Sequence, residues 1–244
     1  VSRVEVLEWD SDFFGIPIGR TCLDGATPKS LAEIDEEARD LGVQCLYGTL
    51  DASRAEESTT AYAAQRAGHR LVEVSQLLSR PAGAYSPPKR IKATVRQGTL
   101  DDIPQLERAI DLLAPWSRYG ADPRFGIDAA RRMHGAWVER AARETPERLL
   151  AIAEDESGII GVSTNVWSPT PRVDFMGVTK PGAGAAQALM GALIDWANDG
   201  ETEGGPCAAR NIAPIRYLEG SGFRISRVRY IFHRWLDEAP GAEA

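Results

Sequence analysis

Two stretches of this chain, 154 residues apart, read alike. Residues 68–80 (Gly68-His69-Arg70-Leu71-Val72-Glu73-Val74-Ser75-Gln76-Leu77-Leu78-Ser79-Arg80) align without gaps on residues 222–234 (Gly222-Phe223-Arg224-Ile225-Ser226-Arg227-Val228-Arg229-Tyr230-Ile231-Phe232-His233-Arg234). The glycine, two arginines and a valine coincide, and apolar Leu71/Ile225, Leu77/Ile231 and Leu78/Phe232 coincide too. A helix closed by a C-terminal glycine and followed by an extended strand produces such a segment. The chain therefore either carries two copies of one α/β unit or uses a common pattern twice by coincidence. Its 244 residues suit one or two domains at about 150 residues each.

The break between the copies is expected at residues 81–90, where Pro81, Pro87, Pro88 and Gly83 leave neither a helix nor a central strand. This divides the chain into a domain at 1–80, a linker at 81–90, a second domain at 91–236 and an acidic tail at 237–244 expected to be disordered.

Composition narrows the function classes. Hydrophobic residues at 43% exclude a disordered chain, and a net charge of -7 argues against a nucleic-acid partner. No apolar run approaches the roughly 20 residues that span a bilayer, and the first residues lack a signal peptide's apolar core, so a cytoplasmic protein with no membrane partner is expected. Cys22, Cys45 and Cys207 form no CxxC pair, and His69, His134 and His233 add no zinc spacing, so no metal is expected.

In the second half, residues 91–96 read as a strand, and residues 99–102 cap a helix carrying Ile103, Leu106, Ile110 and Leu113. Residues 128–143 read as a second helix. Strands at 149–154 and 159–166 flank a hairpin turn, a third strand covers 173–178, and a helix covers 184–197. A strand, a helix and a last strand complete the order, which is α+β rather than a regular doubly wound series.

Between the third strand and its helix lies Thr179-Lys180-Pro181-Gly182-Ala183-Gly184-Ala185-Ala186. Small residues let a ligand approach the backbone, and the first N–H groups of a helix lack intrahelical acceptors and favour negative charge. A pyrophosphate fits such a start; a tight turn packed with small residues is the other reading. Neither a Walker loop nor a dinucleotide fingerprint is present.

These residues resemble the GNAT superfamily of acetyl-CoA-dependent N-acetyltransferases, whose strand-loop-helix signature is matched by Val178 and by Gly182 to Ala186. Pro181 stands where that family places Arg or Gln, and the loop is two residues shorter, which leaves more of the phosphate binding to backbone N–H groups. A second hallmark resembles residues 211–223, with Asn211, Gly222 and Phe223 in place, Leu218 at the tyrosine position and Tyr217 one residue earlier. Within the superfamily, residues 7–15, 117–125 and 232–236 are similar to TDP-fucosamine acetyltransferases.

The resemblance implies a GNAT fold, a mixed and mostly antiparallel sheet flanked by helices, preceded by a shortened GNAT-like N-terminal half. It implies acetyl-CoA, or another acyl-CoA, bound by Met176, Gly177, Val178, Gly182, Ala183, Gly184, Ala185, Ala186 and Asn211. Tyr217 is the candidate proton donor, and Asp174 is a candidate to orient water as a base. Trp116, Arg118, Tyr119, Arg124 and Phe125 are the candidate lining for a small amine, a TDP-linked amino sugar first of all. An aminoglycoside, peptide or natural-product amine, or a non-catalytic acyl-CoA-binding module, are the alternatives. Nothing in the sequence sets the oligomeric state, and a homodimer stays open.

Overall fold

The computed structural model describes residues 3–83, 92–167 and 169–238. Its chain groups into two units: one runs to Ser75 and resumes at Arg227, the other is Gln76–Ser226. The division thus falls at 75/76 and 226/227 rather than inside 81–90, and the last strand groups with the first half of the chain. Of the expected linker, 84–90 lie outside the described residues, as do 239–244 of the expected tail. Asp237 and Glu238 are ordered in place: Arg234 donates to the Glu238 carbonyl at 2.9 Å, and Arg70 pairs with the Glu238 carboxylate at 3.0 Å.

The first unit contains β1 (Glu5–Val6), α1 (Glu8–Phe14), β2 (Ile18–Cys22), α2 (Pro28–Asp40), β3 (Cys45–Asp51), α3 (Glu57–Arg66) and the start of β4 (Arg70–Arg80). β2 and β3 run parallel through five consecutive partners, from Ile18↔Cys45 to Cys22↔Thr49. The crossover α2 buries Leu31, Ile34 and Ala38 against Leu46, Leu50 and Phe232. This helix closes its own start. Thr27 and Ser30 exchange side-chain-to-backbone bonds in a capping box, and Pro28 at the first position has no N–H to offer.

The second unit contains β5 (Thr94–Gln97), α4 (Glu107–Leu113), α5 (Arg118–Ala121), α6 (Gly126–Arg143), β6 (Arg148–Asp155), β7 (Gly158–Trp167), β8 (Pro171–Val178), α7 (Ala185–Trp196), β9 (Thr202–Ala208) and α8 (Ile212–Gly220). β5, β6, β7 and β8 pair antiparallel in sequence order, and β8 pairs parallel with β9. Two apolar layers sandwich this sheet. Leu106, Ile110, Val138, Ile152, Val162 and Phe175 form one, and Ala151, Ala153, Ile160, Ala185 and Leu189 belong to the other. The single helix expected over 103–113 is split, because Pro104 supports only a 3-10 turn over Leu100–Gln105 before α4 begins. Asp102 caps that turn through the Thr99 N–H at 2.8 Å, and Arg96 holds its carboxyl down to about 2.

β10 (Arg224–Trp235) is the last strand among the described residues, and its residues 229–235 pair antiparallel with β3, from Arg229↔Asp51 to Trp235↔Cys45. The repeat read in the sequence is physical. The orders β2-α2-β3-α3-β4 and β8-α7-β9-α8-β10 are the same, and the turns before the last strands match bond for bond. His69 N–H donates to Ala64 O and Phe223 N–H to Leu218 O, both at 3.0 Å, and Gly68 and Gly222 sit at φ 89° and 91°.

Candidate active site

The feature that distinguishes the second unit is how β8 and β9 part. They share one register pair, Arg172↔Glu203. Three local causes act together. On β8 the pairing with β7 jumps from Thr164↔Phe175 to Asn165↔Val173, so Asp174 is the extra residue of a β-bulge, which bends and twists the strand. On β9, Gly205 adopts φ 77°, and a Cβ there would strike the Val173 carbonyl. Pro206 follows with no N–H to donate. Beyond these residues no further register pair joins the two strands among the described residues.

The opening presents backbone. Thr179 donates its N–H to Ile160 O at 2.9 Å, so alternation along the ladder turns the N–H groups of Phe175 and Gly177 toward β7 and those of Met176 and Val178 toward the β9 side. α4 closes over Gly177, where a Cβ would come within 2.9 Å of Ala109 Cβ and 3.0 Å of its carbonyl oxygen. Met176, Cys207 and Tyr217, from β8, β9 and α8, pack partly buried against one apolar cluster that includes Val173, Met190 and Leu218.

Gly182 and Gly184 take φ 82° and 87°, and Gly184 is the N-cap of α7. No side chain caps this helix and no acidic residue occupies its first turn, in contrast to the self-capped α2. The first N–H groups, at Ala185 and Ala186, have no carbonyl within the helix to meet. Lys180 is turned onto the β6–β7 turn instead, with Nζ 2.6 Å from the Asp155 carboxylate; that bond, with others from Ser157, holds the Asp155 carboxyl down to about 2. Asn211 is the N-cap residue of α8 and donates its N–H to Ala208 O at 2.8 Å, while its side chain makes no capping bond.

Tyr217 reaches the same place from α8. Its hydroxyl donates to Ala186 O at 2.9 Å, in the first turn of α7, whereas Leu218 is buried in the core. The one-residue displacement therefore does not carry the phenol away from the loop.

Asp174 departs from its expected role. Arg148 donates to its carboxylate at 2.9 Å and Arg172 at 3.1 Å, and Arg148 also binds Glu144. Two guanidinium groups thus pin the bulge, and the carboxylate is not left to orient water.

The expected acceptor lining separates. Tyr119 is 1% exposed, with Arg118 over its ring at 4.8 Å and on its hydroxyl at 2.7 Å, and Phe125 edge-on at 5.5 Å. These three side chains hold α5 to the start of α6, so the Tyr119 ring cannot stack on a ligand. Arg124 is exposed, and its N–H donates to Asp122 at 2.9 Å. Trp116 remains 38% exposed, and the guanidinium of Arg210 lies 5.6 Å from its ring centroid. Sequence reading missed Arg210, since no local pattern marks a turn residue that meets a ring so far back in the chain.

No protein-family model matches the chain, and no curated protein matches it. Solved structures do. A functionally unknown conserved protein from Staphylococcus epidermidis is similar over 96% of this chain and 92% of that one, at 16% identity and a TM-score of 0.69. A GCN5-related N-acetyltransferase from Sphaerobacter thermophilus is similar over 99% of this chain and 78% of that one, at 17% identity and a TM-score of 0.55. The tandem GNAT protein of the clavulanic acid biosynthesis pathway, solved without acetyl-CoA, is similar over 92% and 77% of the two chains, at 14% identity and a TM-score of 0.53. The chain has the GNAT fold. Within that fold, β8, β9 and the uncapped α7 lie in the second unit, where β5 to β8 pair antiparallel and β8 pairs parallel with β9, as β2 does with β3 in the first. Among the described residues, no helix is long and apolar enough to cross a membrane.

Proposed function

We propose that this chain is an acyl-CoA-dependent N-acyltransferase that moves an acetyl or related acyl group onto the amine of a small substrate. The observation that carries the reading is the parting of β8 from β9 beside an uncapped α7, the combination of strand edge and anion-binding helix start that a pantetheine and its pyrophosphate require. The GNAT fold of the solved relatives supports it.

Bound acyl-CoA supplies a thioester, whose carbonyl carbon is attacked by the neutral amine while the carbon–sulfur bond breaks. The N–H groups of Met176 and Val178 on the open edge of β8 would bind and polarise the carbonyl oxygen. Those of Gly182 to Ala186, with Asn211, would hold the phosphate end. Tyr217 would give its hydroxyl proton to the departing thiolate by turning the O–H away from Ala186 O, and water would carry off the proton lost by the amine.

The preferred acceptor is the amine of a TDP-linked amino sugar, on the likeness of residues 7–15 and 117–125 to enzymes of that kind. The working compartment is the cytoplasm. Thiol release with acetyl-CoA against TDP-amino sugars, free aminoglycosides and peptide amines tests the reading. Binding of acetyl-CoA by calorimetry with turnover on one class supports it; binding without turnover on any amine indicates a non-catalytic module; good binding of NAD or ATP and none of any CoA species sinks it.

A further inference from the structure

Arg210 sits in the turn between β9 and α8, at the end of the sheet where β8 and β9 open. Its guanidinium lies over the Trp116 ring and donates to Ser117 O at 3.4 Å. The platform beneath is stiff: Ala114 and Tyr119 are buried on either side, Ser117 Oγ bonds Ala114 O and the Gly120 N–H, and a Cβ at Gly120 would collide with Ala114 O. The indole is thus exposed on an ordered surface. Among the described residues no carboxylate pairs with Arg210, whose contacts are the Trp116 ring and the Ser117 carbonyl. A guanidinium has five donors in a planar fork, and one long bond to Ser117 leaves most of them to solvent.

We infer that Arg210, steadied by Trp116, recognises an oxyanion on the acceptor, so the amine that this chain acylates also carries a phosphate or a carboxylate. The inference rests on the acyltransferase reading and goes beyond it by naming the residue that selects the substrate class. A forked guanidinium meets either oxyanion through two parallel hydrogen bonds, and the ring face holds its plane while excluding water from one side. The chain's net charge of -7 repels anions at long range, so an anionic acceptor needs a local cation at the mouth of the site.

The test compares acceptors that differ only in the oxyanion: a TDP-amino sugar against the free amino sugar, and an α-amino acid against its primary amide. The anionic member of one pair should be preferred. Arg210→Ala should raise its KM about tenfold or more, the scale of a lost charged hydrogen bond, with kcat nearly unchanged and the uncharged acceptor unaffected. Arg210→Lys should restore part of the loss, and the melting temperature should stay, since the side chain is exposed. Equal effects on both members of each pair would overturn the inference. So would weaker binding of CoA with unchanged binding of dephospho-CoA, which would assign Arg210 to the phosphate of the co-substrate. Direct binding of thymidine diphosphate, measured without any CoA, separates the two claims: if no acyl-CoA binds, the acyltransferase reading fails, while loss of thymidine diphosphate binding in Arg210→Ala still supports the anion subsite.

Discussion

Arg80 and Arg234 occupy the same place in the two repeats, and both are fully buried at the ends of their strands. Arg234 ties its strand to the crossover helix α2, and Arg80 ties its own to the turn after α7 and the start of β9. Arg234 Nε donates to Asp35 of α2 at 2.9 Å, and His69 lies 3.4 Å from the same carboxylate. Burial raises the Asp35 pKa, but the bonds from His69 and Arg234 outweigh it and hold the carboxyl below its ordinary value. Arg80 donates to Thr202 Oγ1 at 3.1 Å and to Gly200 O at 3.0 Å, just after α7, and touches the exposed Asp199. Arg234→Ala should therefore cost about 3–5 kcal/mol by stranding a buried carboxylate. Asp199→Ala, which removes an exposed partner, should stay within about 1 kcal/mol. Urea denaturation of both variants checks the contrast, and equal losses would contradict it.

Replacing Gly184 by valine should abolish most acyl-CoA affinity. The position has φ 87°, where a β-branched residue is strained, and its Cβ would stand at the start of α7 where phosphate must approach. Calorimetry with acetyl-CoA reads the affinity, and a melting curve on the same sample separates lost binding from lost folding. Unchanged affinity in a folded variant would remove the loop from the site.

Tyr217→Phe isolates the proton donor. A positioned acid contributes about a hundredfold or more, so turnover at saturating acyl-CoA should fall by that factor. Near-normal turnover would assign the hydroxyl a structural role through its bond to Ala186 O, worth about 1 kcal/mol of stability.

His134 gives the second unit a pH-dependent stability. Its ring is packed 5.3 Å from both Phe175 and Trp137, and burial depresses its pKa from 6.5 to about 4 despite a hydrogen bond to the Ile110 backbone. Between these values the unfolded chain binds the proton and the folded one does not, so this contribution is full above pH 6.5 and is lost as pH falls toward 4. His134→Phe should flatten that part of the profile. Urea midpoints taken across the window, compared between the two proteins, would refute the assignment if their difference stayed constant.

One acyl-CoA should bind per chain. The first repeat keeps β2 and β3 paired through five partners and caps α2 with Thr27 and Ser30, so it has neither parted strands nor an open helix start. A binding isotherm with two equivalents would contradict this.

The repeat, the β6–β7 hairpin, the amphipathic α6 and the small-residue entry to α7 were legible because each depends on neighbours within a few turns of chain: periodicity, a cap, a glycine at positive φ. What the tertiary structure decided is long-range. A strand pattern does not name its partner, so only the fold places β10 against β3 and draws the unit boundary at Ser75 and Arg227. The bulge at Asp174 exists only relative to β7, and Gly205 and Pro206 look unremarkable until Val173 lies opposite. Burial turned Tyr119 from a ligand platform into a core ring, and the fold brought Arg210 beside Trp116. Local backbone preference is written residue by residue, whereas pairing, burial and charge partnership arise from which distant segments meet.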